Sequence, residues 1–367
     1  KEGCAEGGCG ACTVVLGEFK DNKINYISIN SCIMFLPTLH GKQLLLVEDL
    51  LQTDGSLHPV QKAMVNYHGS QCGFCTPGFV MSLFSMFKNY SKFNENLIKD
   101  TISGNLCRCT GYQPIIKAAK SLTNKNRADQ FTKNKKDVIR LLKKINKESI
   151  IVYKKNKKYF APKYVQELKT ILKKNINSHF LSGGTDLSLN VTKDRKDIDS
   201  MIYMNSIKEL NYIKNNNKYI EVGATTPLIK FENYIKKYYT DFTSILKRYG
   251  SVQIRNTATM AGNIATASPI GDTLPLLLSL DAKIILKSIK KTKIVPLNNF
   301  FINYRKTKLK TGQFIESVRI PLFPKNIFKA YKISKRFDDD ISSICASFNL
   351  QVSDKKIKNI RIAYGGM

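Results

Sequence analysis

Apolar positions in residues 1–57 fall in short runs, "CTVVLGEF" (Cys12 to Phe19) and "INYISIN" (Ile24 to Asn30), separated by the polar turn "KDNK". That pattern predicts a small sheet-containing unit. From His58 the period lengthens. In "TPGFVMSLFSMFKNY" the residues Phe79, Val80, Leu83, Phe84 and Phe87 recur at helical spacing with Pro77 near the start, and "YQPIIKAAKSL" repeats the design. Residues 58–122 therefore predict a small helical bundle. Residues 123–147 are polar and basic with few apolar positions and predict a linker that is partly helical. After it, strand-like and helix-like stretches alternate ("SHFLSGGTDLSLNV", "MIYMNSIKEL", "KYIEVGATTPLIKFENYI"), as in a mixed α/β or α+β domain.

Composition changes this picture little. A chain of 367 residues exceeds what one core usually organises, so two or three domains are expected. No apolar run approaches the roughly 20 residues that a membrane helix needs, and no membrane association is expected. The formal charge of +31 raises a nucleic-acid reading. The lysines are dispersed among Asn and Ile, however, so solvated lysine faces are the simpler explanation and no nucleic-acid partner is expected. Residue 1 is Lys rather than Met, and the native N-terminus is expected to lie upstream.

The cysteines carry more. There are nine, clustered in pairs and triples along a long chain, which suits a reducing compartment, the cytoplasm, better than a disulfide scaffold. Cys4, Cys9 and Cys12 have the Cys-x4-Cys-x2-Cys spacing of a plant-type 2Fe-2S site, with Cys32 as a distant fourth thiol. Gly3, Gly7, Gly8 and Gly10 would let the backbone wrap closely. Zinc also takes four cysteines, but usually between two Cys-x2-Cys arms. A second set, Cys72-x2-Cys75 and Cys107-x-Cys109, could hold another two-iron cluster. Cys345 is left over and reads as a small buried apolar residue.

In the second half, "FLSGGTDLSL" is a strand running into a Gly-Gly turn whose N–H groups could form an anion nest, although a plain surface turn fits equally. "TMAGNIATASPIGD" is a stretch of small residues that suits close backbone approach to a ligand or tight core packing. No G-x-G-x-x-G is present, so a Rossmann site is not supported.

The segments "KEGCAEGGCGACTVV", "LHPVQKAMVNYHGSQCGFCTPGFVMSL", "SGNLCRCTGYQPI", "SVQIRNTATMAGNIATASPIGD" and "YKISKRFDDDISSICASFNL" resemble the molybdenum hydroxylases of the xanthine dehydrogenase/aldehyde oxidase family. Within it they most resemble the iron-sulfur and FAD small subunit of the bacterial xanthine dehydrogenases. The resemblance implies an α+β multidomain chain. A truncated β-grasp 2Fe-2S ferredoxin-like unit would occupy 1–57, a helical-bundle 2Fe-2S domain 58–122 and a linker 123–147. An α+β FAD-binding domain of the vanillyl-alcohol-oxidase/CO-dehydrogenase flavoprotein type would occupy 148–325, and the start of a C-terminal flavoprotein domain 326–367.

By the same resemblance Cys4, Cys9, Cys12 and Cys32 would hold one cluster, and Cys72, Cys75, Cys107 and Cys109 the other. Phe180, Leu181, Ser182, Gly183, Gly184, Thr185, Asp186 and Leu187 would hold the FAD pyrophosphate. Thr259, Met260, Ala261, Gly262, Asn263 and Asp272 would meet its ribityl and phosphate region, Tyr249 would stack near the isoalloxazine, and Ile315 and Lys332 would add contacts. The acidic loop from Phe337 to Ser342 would lie where NAD enters. No catalytic residue is singled out, Lys332 being the one placed near the flavin. A molybdopterin-binding large subunit would oxidise hypoxanthine or xanthine in a hetero-oligomer, and electrons would pass through both clusters to FAD and NAD. An aldehyde or carbon monoxide oxidising relative, a flavin-less iron-sulfur carrier and a zinc-stabilised nucleic-acid binder are the competing expectations.

Overall fold

A computed structural model describes residues 1–123, 128–145 and 148–366, so parts of the expected linker, 124–127 and 146–147, lie outside the described residues. The chain divides into two compact units. Unit 1 comprises Lys1–Glu148, Ser188–Arg195 and Ser251–Asn256.

In unit 1, β1 (Thr13–Lys20) and β2 (Lys23–Asn30) form an antiparallel hairpin with Thr13 opposite Asn30. Asp21 and Asn22 both take positive φ, 51° and 59°, which a two-residue turn needs to match the twist of its strands. β3 (Gln43–Leu45) pairs with the other edge of β1. Alternation then gives β1 two buried faces. Val14 and Leu16 pack with Ile29, while Val15 joins the core of the helices.

Four helices follow: α1 (Pro59–Asn66), α2 (Thr76–Asn89), α3 (Glu95–Ile102) and α4 (Gln113–Ser121). His58 starts α1, its Nδ1 accepting from Val60 N–H at 3.2 Å while Gln61 accepts from His58 N–H at 3.0 Å. α2 is buried on nearly every side because α1, α3, β1 and β2 all pack on it, and its Phe79, Leu83, Phe84 and Phe87 are fully enclosed. Each such ring or branched chain contributes roughly 1.5–3 kcal/mol by leaving water. α5 (Gln130–Lys133) and α6 (Lys135–Ile145) lie in the segment read as a linker. Phe131 joins the helical core there, and Asp129 is buried with it, bonded to His58 Nε2 at 3.2 Å and Lys88 Nζ at 2.8 Å.

Unit 2 comprises Ser149–Leu187, Lys196–Gly250 and Thr257–Met367. β4 (Ile150–Lys154), β5 (Lys157–Ala161), α7 (Val165–Lys174), β6 (His179–Leu181), α8 (Leu187–Thr192) and β7 (Ser200–Tyr203) come first, α8 belonging to unit 1 except for Leu187. Their sheet has the order β4-β5-β7-β6, with β7 parallel to both β5 and β6. Parallel neighbours require crossovers, and α7 and α8 lie in those connections.

Next come β8 (Ile213–Asn215), β9 (Tyr219–Gly223), α9 (Leu228–Ile235) and α10 (Thr240–Lys247), then α11 (Val252–Arg255), which belongs to unit 1. α12 (Met260–Thr266), α13 (Thr273–Ser279), β10 (Lys283–Lys287), β11 (Thr292–Pro296), the short pair β12 (Phe301–Asn303) and β13 (Lys306–Thr307), and β14 (Phe314–Pro321) complete this part. The larger sheet is β11-β10-β14-β9-β8, antiparallel throughout. β15 (Ile327–Ile333), β16 (Ile344–Ser353) and β17 (Lys356–Gly365) form a third, antiparallel sheet on which α13 packs. The architecture is α+β and multidomain, as the sequence predicts. No helix among the described residues is long and apolar enough to cross a membrane.

Candidate functional site: two thiol sets and a small-residue cradle

Cys12 immediately precedes β1 and Cys32 follows β2 in the turn Ser31–Ile33, so the hairpin register itself brings these two thiols together. Cys4 and Cys9 lie in a loop that Ala5, Gly7 and Gly10 wrap with positive φ of 56°, 81° and 69°. Cys9 N–H donates to Cys4 Sγ at 3.3 Å. Asn30 Nδ2 holds the loop by donating to Gly7 O at 2.7 Å.

In the second set Cys75 caps α2, while Cys107 and Cys109 lie ahead of α4, whose cap Tyr112 is left-handed at φ 68°. Cys107 N–H donates to the Tyr112 hydroxyl at 2.9 Å, and Thr110 N–H donates to Cys107 Sγ at 3.4 Å. Cys12 is buried, whereas Cys72 and Cys109 are exposed.

Within each set the thiols perturb one another's ionisation, most directly Cys4 with Cys9, Cys12 with Cys32, Cys72 with Cys109 and Cys75 with Cys107. Interaction with Cys32 lowers Cys12 to about 6, and interaction with Cys12 raises Cys32. Burial raises Cys9; burial would raise Cys4 too, but the N–H groups of Glu6 and Cys9 bring it down. In the second set the Phe74 N–H and then Cys109 lower Cys72, and Cys72 raises Cys109. Burial and then Cys107 push Cys75 up to about 12; Cys107 is lowered against its own burial by the Thr110 hydroxyl and N–H.

Four thiols this close cannot all ionise unless a cation compensates them, so charge chemistry favours a bound metal centre. Among the described residues no three Cys, His, Asp or Glu groups converge on one point as the ligands of a single ion do. The loop N–H groups directed at sulfur are the partners that iron-sulfur thiolates use.

In unit 2 the structure brings the two small-residue stretches together. A Cβ on Gly183 would lie 2.1 Å from Thr257 O, so only glycine lets the loop after β6 rest on the turn before Thr259. Gly184 has φ +75°. Among the described residues, the backbone N–H groups of Gly183, Gly184 and Thr185 have no acceptor within the protein. That is the free donor set a pyrophosphate needs. Phe180 and Leu181 lie on β6 opposite Ile202 and Tyr203 of β7, and Leu187 begins α8.

Thr259 caps α12 by accepting from Gly262 N–H at 3.1 Å, and Met260 and Ala261 are buried behind it. Asn263 accepts from Thr273 Oγ1 at 2.5 Å and interacts with the Tyr249 hydroxyl. Burial first, then the charges of Asp272 and Asp186, push the Tyr249 phenol up. Asp272 is buried, accepting from Lys332 Nζ at 2.6 Å and Ser342 Oγ at 2.5 Å. Ile315 is buried on β14, on which α12 packs. The acidic loop is anchored by Ser342 at one end. At the other, Arg248 donates to Phe337 O at 2.9 Å and Lys332 O at 2.8 Å, with its guanidinium 4.4 Å from the Phe337 ring centroid. Sequence reasoning did not single out Arg248, nor Asn105 and Gln253 of unit 1; each works through partners far away in the chain, which spacing cannot reveal.

Thiol sets in one unit, and a cradle of small residues in the other, are what an iron-sulfur flavoprotein would need. Residues 46–120 match a family described as a 2Fe-2S binding domain, residues 153–323 the FAD binding domain in molybdopterin dehydrogenase, and residues 329–367 the CO dehydrogenase flavoprotein C-terminal domain. The chain belongs to the molybdenum hydroxylases. Xanthine dehydrogenase of Emericella nidulans is 32% identical across the whole of this chain and 31% of its own length; that of Dictyostelium discoideum is 30% identical, over 33% of its length. The chain thus spans about a third of the curated relatives it matches. Carbon monoxide dehydrogenase of Hydrogenophaga pseudoflava (TM-score 0.54, 22% identity, 58% of this chain and 76% of that one) shares the fold. Quinoline 2-oxidoreductase of Pseudomonas putida 86 does so too (TM-score 0.53, 22% identity, 57% and 73%). The chain therefore holds the iron-sulfur and FAD domains of a molybdenum hydroxylase electron-transfer system.

Proposed function

We propose that this chain is the electron-transferring part of a xanthine dehydrogenase, accepting electrons from a molybdopterin-bearing large subunit and delivering them to NAD while hypoxanthine and xanthine are oxidised. Two 2Fe-2S clusters would supply one-electron exchange, and FAD would supply conversion to two-electron chemistry. The carrying observation is the gathering of two sets of four thiols, with loop N–H groups directed at Cys4 Sγ and Cys107 Sγ. Cys4 with Cys9, and Cys12 with Cys32, would each hold one iron of the first cluster. Cys72 with Cys109, and Cys75 with Cys107, would do the same for the second.

In unit 2 the free N–H groups of Gly183, Gly184 and Thr185 would bind the FAD pyrophosphate. Thr259 and Asn263 would orient the ribityl chain, and Tyr249 would lie along the ring. Asp272 is already engaged by Lys332 and Ser342, so its part is to hold the Lys332 ammonium in place rather than to touch a phosphate. The loop from Phe337 to Ser342 would border the NAD entry. The exposed rim of the second thiol set, with Cys72 and Cys109, suits contact with the large subunit in a hetero-oligomer. Nine unbridged cysteines suit a reducing cytoplasm.

Full-length chain reconstituted without oxygen, and then combined with its natural large subunit, tests this reading. Two distinct reduced iron-sulfur signals, acid-labile sulfide, bound FAD and xanthine-dependent reduction of NAD are expected. A colourless zinc protein would overturn the cluster assignment. Turnover of an aldehyde or carbon monoxide in place of purine would overturn the substrate.

A further inference from the structure

The two thiol sets of unit 1 are joined through the backbone. Leu106 N–H donates to the Cys9 carbonyl at 3.0 Å, and Leu106 is covalently attached to Cys107. A single hydrogen bond is therefore the only break in an otherwise covalent path from the Cys9 thiol of the first set to the Cys107 thiol of the second.

Asn105 holds this junction. It is 1% exposed, and its Nδ2 donates to Gly10 O at 3.0 Å and to Thr13 Oγ1 at 3.1 Å. Its Oδ1 accepts from Ser82 Oγ at 2.6 Å and from Gln253 Nε2 at 3.2 Å. Two donors on one side and two acceptors on the other leave the amide one orientation. Glycine allows the approach: a Cβ on Gly10 would lie 2.0 Å from Gly104 O, and one on Gly78 would lie 2.2 Å from Gly10 O. Neither thiol set needs this junction to gather its own ligands, because each has its own loop and its own N–H donors to sulfur.

We propose that the Cys9–Leu106 hydrogen bond is the coupling route between the two metal centres and that Asn105 is its positioning residue. The inference rests on the cluster reading above. In the step it serves, one centre loses one electron and the other gains it; no bond forms, no proton moves and no further reactant is needed. Electronic coupling decays far less through bonds than across a van der Waals gap, so this contact should carry more of the exchange than any path through side-chain packing.

The test uses the full chain loaded with both clusters, as wild type and Asn105→Leu. One centre is reduced by a radiolytic pulse and redistribution is followed by rapid-freeze electron paramagnetic resonance. In the variant, iron, sulfide, both signals and both reduction potentials should persist while exchange slows roughly tenfold or more, since small misplacements in such junctions are costly. An unchanged rate with both signals present would overturn the proposal. Should the variant lose a cluster, the fully reduced wild type decides. An isotropic exchange part in the splitting between the two signals supports the route, and a purely dipolar splitting refutes it. Absence of sulfide and of both signals from the wild type would instead sink the cluster reading itself.

Discussion

In unit 1 the proposed cofactor contacts are side chains, eight thiols, with the hairpin register deciding that Cys12 meets Cys32. In unit 2 the proposed contacts are mostly backbone, offered by glycines and small residues whose side chains matter chiefly by being absent. The first arrangement depends on identity at a few positions. The second depends on shape over many. Loss of a ligand should thus be all-or-none in unit 1 and graded in unit 2.

The largest expected effect comes from Cys107→Ser, which removes the thiol that pairs with Cys75. Half of the iron and sulfide should vanish and one of the two paramagnetic signals with them, while FAD per chain stays at the wild-type ratio. Parallel loss of both signals would show that the two sets do not assemble independently. Lys332→Met comes next. Its Nζ and Asp272 form a pair with side chains only 1% and 6% exposed, and breaking a buried pair from one side costs about 3–5 kcal/mol. The denaturation midpoint of the flavin unit should fall accordingly, with the iron signals untouched. Adding Asp272→Asn should restore part of the loss, because the uncompensated charge is then removed.

Asp129→Asn moves the comparison to unit 1. Burial would raise the Asp129 carboxyl, but His58 and Lys88 outweigh it and hold it below its ordinary value of 3.8. A carboxyl depressed in the folded state stabilises above its unfolded pKa, and that contribution is lost as pH falls through the lower folded value. Wild type should therefore exceed the variant by roughly 1.5–3 kcal/mol at neutral pH, the usual worth of charged hydrogen bonds. The gap should narrow below about pH 4. A gap that does not depend on pH would mean that the carboxylate charge contributes nothing there.

These contrasts explain what could be read from sequence. The cysteine spacing, the hairpin with its Asp21–Asn22 turn and the apolar stripe of α2 are local patterns, and each predicts its own structure. Asp129 looked like part of a polar linker, because the groups that bury it, His58 and Lys88, lie far upstream. Gln253 looked like part of the flavin half, yet its amide bonds Ser82 and Asn105 in unit 1. A polar residue whose partner is distant carries no periodicity, so only the fold reveals its role. The "SGGTD" turn was legible as a possible nest; what the fold adds is Gly183 lying against Thr257, with neighbouring N–H groups that have no acceptor among the described residues.

That nest gives the smallest and most discriminating prediction. Gly184 sits at φ +75°, where a β-branched residue is strained. Gly184→Val should cost about 1–2 kcal/mol at this position. Because neighbouring N–H groups still face the pyrophosphate site, FAD should be bound more weakly rather than lost, and excess FAD should restore saturation. Iron and both cluster signals should be unaffected. A titration of apoprotein with FAD, followed by flavin fluorescence quenching, measures the shift directly. Wild-type affinity would show that the anion cradle lies elsewhere in unit 2. Complete loss that excess FAD cannot rescue would show the flavin site to be as all-or-none as the thiol sets, and the contrast between side-chain and backbone recognition would fail.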